Sequence, residues 1–199
     1  MKNAFKILGF SLTVLLMSFK PIKEKKVIII DAGHGGTDFG VVNGNAYEKE
    51  IVSNIANKIK SFNKEKDIEI ILLRGKDDFT SLNSRVEKIN QLNPDLVISL
   101  HVNTSNDKAA NGVQAFISEQ NSNYEKSRLH AQELTQIIAK KDLEINAVQK
   151  ANYLLLKNSS SPAVSLELGY LSNEGDKNFL ISEKGQNRIA KQILFYVNK

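Results

Sequence analysis

Two histidines and three acidic residues have the types and positions expected of a metal-dependent hydrolytic site. His34 lies in DAGHGG and His101 lies in SLHVN, and both follow runs of branched apolar residues. Glu48 and Glu50 lie in YEKE, and Glu167 lies in SLELGY. Two imidazoles and one carboxylate form a common catalytic zinc set, which leaves a fourth position for water. A second, unligated carboxylate can then act as the general base for that water.

The elements that must position these side chains are strands alternating with helices. Apolar runs predict strands, and apolar residues at helical spacing predict helices. The predicted strands are Val27–Asp31, Ile68–Leu73, Leu96–Leu100, Gly112–Ile117 as an outer strand, Tyr153–Leu156 and Val164–Leu168. The predicted helices are Tyr47–Phe62, Thr80–Leu92 (with Thr80 or Ser81 as N-cap), Asn123–Lys141 and Ser182–Val197. This alternation predicts an α/β domain with a largely parallel sheet covered by helices on both faces.

The order of the predicted strands brings the candidate residues to one edge of the sheet. His34 follows the first strand, His101 ends the third and Glu167 ends the last. Ligands of open α/β sheets sit beyond the carboxyl ends of the strands, so these three side chains are expected to converge. The glycines around His34 permit a sharp turn there. Composition and spacing do not decide which acid is the metal ligand and which is the base.

Composition narrows the class of protein. The chain has 199 residues, 41% hydrophobic and 25% charged, which is typical of one globular domain. It has no cysteine, so disulfide scaffolds, thiolate zinc sites and cysteine-linked lipid anchors are excluded. The net charge of +5 comes from residues 1–26, while the remainder has 21 basic and 21 acidic side chains. A nucleic-acid partner is therefore not expected, because its binding needs a basic excess on the folded domain.

Residues 1–26 resemble an export signal. A basic start, MKNAFK, precedes an apolar run, Ile7–Phe19, which fits a signal-peptide core and is short for a membrane-spanning helix. No clear small-x-small cleavage site follows, so an uncleaved N-terminal anchor and a buried N-terminal helix are the alternatives. We expect an exported protein of the periplasm or cell envelope, with residues 27–199 as the catalytic domain. Membrane contact is expected only through an uncleaved N-terminal segment.

Four motifs together carry a family resemblance. DAGHGGTDFG, YEKE, SLHVN and SLELGYLSN, in this order, resemble the zinc-dependent N-acetylmuramoyl-L-alanine amidases, the cell-wall amidases often called amidase 3. The likeness runs from Val27 to the C-terminus. It includes two less diagnostic stretches, LLRGKDD and TSLNSRVEKIN.

The resemblance implies a fold, a cofactor and a reaction. The implied fold is a single α/β domain with a six-stranded, mostly parallel sheet. The implied cofactor is one Zn²⁺, held by His34, Glu48 and His101, with Glu167 as the catalytic glutamate and Glu50 not a ligand. The implied activity is peptidoglycan hydrolysis at the amide bond between the lactyl group of N-acetylmuramic acid and L-alanine of the stem peptide. Zinc-activated water would attack, with Glu167 as general base.

The same residues are compatible with other interpretations. The rival functions are a wall-binding protein without turnover, a zinc peptidase that cuts stem peptides, and a structural zinc site. Glu48 alone also fits a first-turn acid favoured by the helix dipole. His130 is expected to be a surface or packing residue, and Tyr153 and Phe116 are expected in the core. Asp31 and Asp38 are expected to form turns or to support the ligands.

The partners expected are few. The substrate is peptidoglycan, and nothing in the sequence demands an oligomer, so we expect a monomer. The stretch between His101 and Glu167 is compact, with no room for a large blocking helix. No activator protein is evident, and we expect an uninhibited enzyme.

Overall fold

The computed structural model describes residues 25–140 and 143–199, which form eight strands and six helices. The strands are β1 Lys26–Ala32, β2 Val42–Asn43, β3 Ala46–Tyr47, β4 Ile68–Leu72, β5 Leu96–Asn103, β6 Gln114–Ile117, β7 Gln149–Lys150 and β8 Ala163–Tyr170. The helices are α1 Glu48–Phe62, α2 Leu82–Leu92, α3 Tyr124–Ala139, α4 Leu154–Asn158, α5 Glu174–Ile181 and α6 Glu183–Val197. The predicted leader, residues 1–26, lies outside the described residues except for its last two.

Six strands form one sheet in the order β4-β1-β5-β8-β6-β7, and β2 and β3 form a separate hairpin. Neighbouring strands are parallel except β6 and β8, which are antiparallel. The prediction of a six-stranded, mostly parallel sheet is therefore confirmed. The central strands β1, β5 and β8 are rich in branched apolar residues because both of their faces are covered.

The two faces of the sheet carry different layers. Helices α1, α3, α5 and α6 cover the face that we call the broad face, whose core includes Ile30, Ile98 and Leu166. Helices α2 and α4 cover the opposite face, which we call the site face. Its apolar cluster is much smaller and includes Val86, Ile89 and Leu155 from those helices.

Along β1, β5 and β8, alternate residues point to the site face and form rows across it. The first row is apolar, the second is polar, and the third lies at the carboxyl edge. These rows are Ile29, Val97 and Ala163; Asp31, Ser99 and Ser165; and then His101 and Glu167, with Gly33 just past the end of β1. The chemistry-bearing residues therefore lie directly above a polar floor.

One predicted element has the wrong type. Tyr153–Leu156 was predicted as a strand, but Leu154–Asn158 forms the short helix α4. A four-residue apolar run has no period that separates a strand from a helix. The place beside β8 is taken by β6, and Leu155 and Leu156 instead pack over the site face.

The other predicted elements are present with small differences in their ends. Ser81 is the N-cap of α2, and its hydroxyl accepts a hydrogen bond from Ser84 N at 3.2 Å. The predicted outer strand Gly112–Ile117 is β6, which lies one place inside the edge strand β7. Among the described residues, no helix is both long enough and apolar enough to cross a lipid bilayer.

Candidate functional site

The three predicted strand ends meet at the carboxyl edge of the site face. His101 and Glu167 are paired in register on β5 and β8, and His34 lies two residues beyond the end of β1. Glu48 reaches the same place as the first residue of α1. Three strands and one helix N-terminus thus supply two imidazoles and two carboxylates.

Glu48 lies between the two imidazoles. Its Oε1 is 3.0 Å from His34 Nε2 and 2.9 Å from His101 Nδ1. One ligand atom from each of the three residues lies within 4.8 Å of the other two. The geometry therefore gathers two nitrogens and one oxygen around a single point.

His34 is held in an uncommon backbone conformation. Its φ is 59°, in the left-handed region that non-glycine residues seldom occupy. On its ring, Nδ1 is 2.9 Å from Asp38 Oδ2. A proton on Nδ1 that is donated to Asp38 leaves the lone pair of Nε2 free to bind a cation. Asp38 thus supports His34, which is one of the two roles expected for it.

Glu48 is held by backbone donors as well as by the histidines. Its Oε2 accepts a hydrogen bond from Val41 N at 2.8 Å, and its Oε1 accepts one from Val102 N at 3.0 Å. The residue is only 2% exposed. A carboxylate this buried needs such donors because burial without them costs several kcal/mol, about 3 to 5 for a charge that loses its partner. The bonds also fix which way the carboxylate points.

Two glycines make room for the ligand side chains. A Cβ on Gly33 would lie 2.4 Å from His101 Cε1, which is too close for two carbon atoms that are not bonded. A Cβ on Gly40 would lie 2.4 Å from Glu48 Oε2 and 2.7 Å from His34 Cδ2. The glycines of the DAGHGGTDFG motif therefore serve close approach as well as turning.

The electrostatics of the cluster favour positive charge at its centre. Burial alone lowers the pKa of His34, but hydrogen bonds and charges from Glu48 and Asp38 outweigh burial and raise the pKa to about 9. Burial also lowers the pKa of His101, and Glu48 and Glu167 raise it by more. Burial raises the pKa of Glu48, but its bonds to the two imidazoles bring that pKa down to about 2. The protein thus keeps Glu48 ionised and favours a cation beside it.

The donor atoms fit zinc. Two imidazole nitrogens and one carboxylate oxygen are ligands that Zn²⁺ uses, whereas Mg²⁺ and Ca²⁺ prefer oxygen ligands alone. Three protein ligands leave one tetrahedral position open, which is typical of catalytic sites, whereas structural zinc sites are closed by four. The cluster of His34, Glu48 and His101 therefore has the composition of a catalytic zinc site.

Glu167 has an oxygen that no protein donor satisfies. Its Oε2 is buried and has no hydrogen-bond partner among the described residues. Burial raises the pKa of Glu167 to about 7, and the neighbouring Glu48 adds to the rise, while His101 and His34 oppose it. An unsatisfied buried carboxylate oxygen costs free energy, so its presence beside the ligand cluster points to a chemical role.

A cleft of about 520 Å³ opens beside the cluster, between α2 and α4. His34, His101 and Glu167 line one end of it, and Phe79 and Tyr153 line its apolar wall. The side chains of His34 and His101 remain 23% and 28% exposed, so the cluster is reachable from solvent. The expectation that Tyr153 lies in the core is wrong, since it is 48% exposed and flanks the cleft.

The remaining predicted residues are not members of the ligand cluster. Glu50 is exposed on α1, although it is only two positions from Glu48. His130 is a packing residue, with Nδ1 2.5 Å from the Tyr196 hydroxyl. Asp31 is a strand residue in a buried ion pair and does not form a turn.

Three buried cations near the site were not singled out from the sequence. Lys49 donates to Gly36 O at 2.8 Å and to Asp77 Oδ2 at 2.7 Å. Arg74 and Arg85 are 6% and 3% exposed and bond to the turn that carries His34. All three lie inside the motifs YEKE, LLRGKDD and TSLNSRVEKIN. The sequence held a usable signal for Arg85. It lies four residues before the core residue Ile89 in α2, so both share the buried face of that helix.

Comparisons with known proteins identify the family of this chain. A family model described as N-acetylmuramoyl-L-alanine amidase matches residues 28–199. The germination-specific N-acetylmuramoyl-L-alanine amidase of Bacillus subtilis is 27% identical, over an alignment that covers 94% of this chain and 89% of the relative.

Two solved structures have the same fold. The catalytic domain of CwlV, an N-acetylmuramoyl-L-alanine amidase from Bacillus (Paenibacillus) polymyxa var. colistinus, has a TM-score of 0.76 and 31% identity, over 87% of this chain and 98% of that one. The CwlD amidase from Clostridioides difficile, solved in complex with the GerS lipoprotein, has a TM-score of 0.78 and 26% identity, over 87% of this chain and 97% of that one.

Proposed function

Because the chain belongs to the N-acetylmuramoyl-L-alanine amidase family, it is a peptidoglycan-cleaving amidase, and we propose a zinc-dependent mechanism for it. One Zn²⁺ would be held by His34, Glu48 and His101. Glu167 is the general base. The bond cleaved joins the lactyl group of N-acetylmuramic acid to L-alanine of the stem peptide.

The observation that carries this assignment is the pairing of a ligand cluster with an unsatisfied carboxylate. Glu48 already accepts bonds from two backbone N–H groups and lies between the imidazoles, so it is placed to bind a cation. Glu167 lies beside His101 in register, and its Oε2 has no donor among the described residues. This difference supports separate roles for the two acids, which spacing alone left open.

When bound, zinc supplies a Lewis acid that polarises the scissile carbonyl and makes a water molecule more acidic. Glu167 orients the attacking water and takes one of its protons as the oxygen adds to the carbonyl carbon. The C–N bond then breaks, and Glu167 gives the proton to the departing nitrogen. The products are a lactyl carboxylate and a stem peptide with a free L-alanine amine, so no covalent enzyme intermediate is required.

The cleft is large enough to hold the part of the substrate next to the scissile bond. The apolar wall beside Glu167, with Phe79, Leu82 and Tyr153, leaves about 520 Å³ next to the reacting groups. This wall excludes water from the scissile bond once substrate is bound, which strengthens the electrostatic interactions there.

The site is open to solvent, and from this we propose an enzyme that acts as a monomer without an activator. The CwlD structure contains the GerS lipoprotein, so a protein partner of this chain is the alternative outcome of the test. We further propose that residues 1–26 direct export to the periplasm or cell envelope, as a signal peptide or as an N-terminal anchor. That location gives the enzyme access to peptidoglycan.

The first test is mass spectrometry of muropeptides digested by the purified full chain, with and without added Zn²⁺, beside Glu167→Gln. We expect zinc-dependent release of intact stem peptides with a free N-terminal alanine. The variant should be about 10²- to 10⁴-fold slower, because it keeps the shape of the side chain but cannot accept the proton. Its zinc affinity should be unchanged.

The same experiment separates the rival functions. Cuts inside the stem peptide would identify a peptidase. Muropeptides that bind but remain intact despite bound zinc would identify either a wall-binding protein or an enzyme that needs an activator. A Glu167→Gln variant that retains full turnover would overturn the assignment of the base.

A further inference from the structure

The turn that carries His34 is held by two buried arginines. Arg74 donates from Nε to Ala32 O and from Nη2 to Gly33 O, each at 3.0 Å. Arg85 donates from Nη1 to Ala32 O at 2.8 Å and from Nη2 to His34 O at 2.5 Å. Three successive carbonyl oxygens are thus bound by guanidinium groups just before the chain enters the glycine turn.

Arg85 is itself fixed by the polar floor of the site face. Its Nη1 also bonds to Asp31 Oδ1, and both side chains are almost fully buried. Ser99 donates to the other oxygen of Asp31 at 2.7 Å. The Nε of Arg85 donates to Thr80 O at 3.1 Å. One guanidinium therefore links the floor of the site, the start of α2 and the backbone of His34.

Stability alone gives a poor account of this buried ion pair. Burying both charges is costly, and apolar side chains of similar volume often replace such pairs with no loss of stability. The next row of the same face is apolar, formed by Ile29, Val97 and Ala163, so an apolar continuation is compatible with the fold. What an apolar side chain cannot provide is a donor for the His34 carbonyl.

We infer that Arg85, held by Asp31, is a positioning residue that fixes His34 in its ligand orientation. The inference rests on the proposed role of His34 as a metal ligand. His34 has a φ of 59°, which a residue with a Cβ keeps only where its surroundings enforce it. The bond to the His34 carbonyl enforces this backbone, and the backbone sets the direction in which the ring leaves the turn.

Arginine is required for this role, whereas lysine is not sufficient. The guanidinium of Arg85 binds four acceptors at once: a carboxylate and three backbone carbonyls. A lysine ammonium keeps the charge but has three donors at one point and cannot span those acceptors. Arg85→Lys therefore separates the geometry of the side chain from its charge.

The test compares the full-length wild type with Arg85→Lys, using two measurements that do not depend on turnover. Zinc affinity is measured by competition with a chromophoric chelator, and the ligand geometry is read from the visible absorption of the Co²⁺-loaded protein. We expect Arg85→Lys to bind zinc about 10- to 100-fold more weakly and to shift the Co²⁺ bands. Arg85 also lines the cleft, but the apolar residues Phe79 and Tyr153 are unchanged, so kcat should fall while KM stays within about twofold.

The matched control is Arg128→Lys. Arg128 is a partly exposed arginine on α3 whose Nε donates to Glu125 Oε2 at 2.8 Å. Zinc affinity, Co²⁺ spectrum and kcat should all match the wild type in this variant. A second test variant is Ser99→Ala, which removes only the hydroxyl that orients Asp31. It should bind zinc about threefold more weakly and keep the fold, which net hydrogen-bond energies allow.

The outcomes are decisive in each case. A folded Arg85→Lys protein with wild-type zinc affinity and an unchanged Co²⁺ spectrum overturns the inference. If Arg85→Lys does not fold, Ser99→Ala decides in the same way. If the wild type binds no zinc, or if His34→Ala binds it normally, the ligand assignment itself fails. Loss of affinity in His34→Ala with none in Arg85→Lys or Ser99→Ala rejects only the positioning role.

Discussion

The two faces of the sheet share the same strands but differ in polarity, because one is an apolar core and the other has a row of buried polar residues. On the broad face, Ile30, Ile98 and Leu166 join a continuous apolar core under four helices. On the site face, the neighbouring positions Asp31, Ser99 and Ser165 are polar although nearly fully buried. Successive side chains of a strand point to opposite faces, so each strand contributes to both. The comparison teaches that stability is concentrated on one face, while the other accepts costly buried polar groups that shape the site.

The largest effect is expected from a comparison of Ile98 and Ser99, which are adjacent on β5 and face opposite sides of the sheet. Ile98→Ala removes a fully buried side chain from the broad face and should lower the free energy of unfolding by about 3 kcal/mol. Turnover per folded molecule should not change. Urea denaturation measures the free energy of unfolding, and the initial rate divided by the concentration of folded protein measures turnover. The neighbouring variant Ser99→Ala should do the reverse, with little loss of stability and weaker zinc binding. If Ile98→Ala weakens zinc binding more than Ser99→Ala does, the division between the faces is wrong.

A smaller effect is expected from one added methyl group at the carboxyl edge. Gly33→Ala places a Cβ 2.4 Å from the His101 ring, so the ring must move away from its position beside Glu48. Zinc affinity should fall by about 10-fold or more, as for other changes that displace a ligand's support. Isothermal titration with Zn²⁺ measures this change.

The control for that substitution is Gly75→Ala. A Cβ on Gly75 would meet no heavy atom within 4 Å, so the variant should bind zinc as the wild type does. Equal affinities for the Gly33 and Gly75 variants would show that the close approach of Gly33 and His101 has no functional importance.

The smallest effect is the contribution of His130, on helix α3 of the broad face, to the pH dependence of stability. Burial lowers the pKa of His130 below 6.5, and the charge of Lys26 lowers it further. The unfolded chain therefore binds a proton at His130 more readily than the folded protein does. This contribution to stability is present above pH 6.5 and is lost as the pH falls from 6.5 through the folded-state pKa.

Urea denaturation at pH 7.5 and pH 5 measures this change, and His130→Gln should lose less stability than the wild type between the two. Many other groups titrate in that interval, so the difference between the two proteins is the quantity to compare. An equal loss in both would mean that His130 titrates alike in the folded and unfolded states.

Much of the fold followed from local patterns. The runs Val27–Asp31 and Leu96–Leu100 predicted strands because a short run of branched apolar residues between polar residues is typical of a buried strand. Ser81 and Ser182 marked two helix starts correctly, through hydroxyls that accept bonds from backbone N–H groups. The helix α5 was not predicted, although Asn173 caps it with a side-chain bond from Asp176 N.

The roles of Glu48 and Glu167 could not be predicted from local sequence patterns. Residues alone left Glu48, Glu50 and Glu167 as alternatives, and only the family resemblance distinguished them. In the structure, α1 buries Glu48 against two histidines and exposes Glu50, because positions two apart on a helix face different directions.

The sequence by itself determined most of the strands and helices and the set of residues that can do chemistry, because both depend on side-chain type and short-range spacing. The tertiary structure decided the rest. It made Leu154–Asn158 a helix, because β6 occupies the place beside β8. It also brought Arg74 and Arg85 to the carbonyls of the His34 turn, over separations of 41 and 51 residues. Such contacts depend on how distant segments pack. The local pattern indicates only that Arg85 lies on the buried face of α2, and it does not indicate what Arg85 binds.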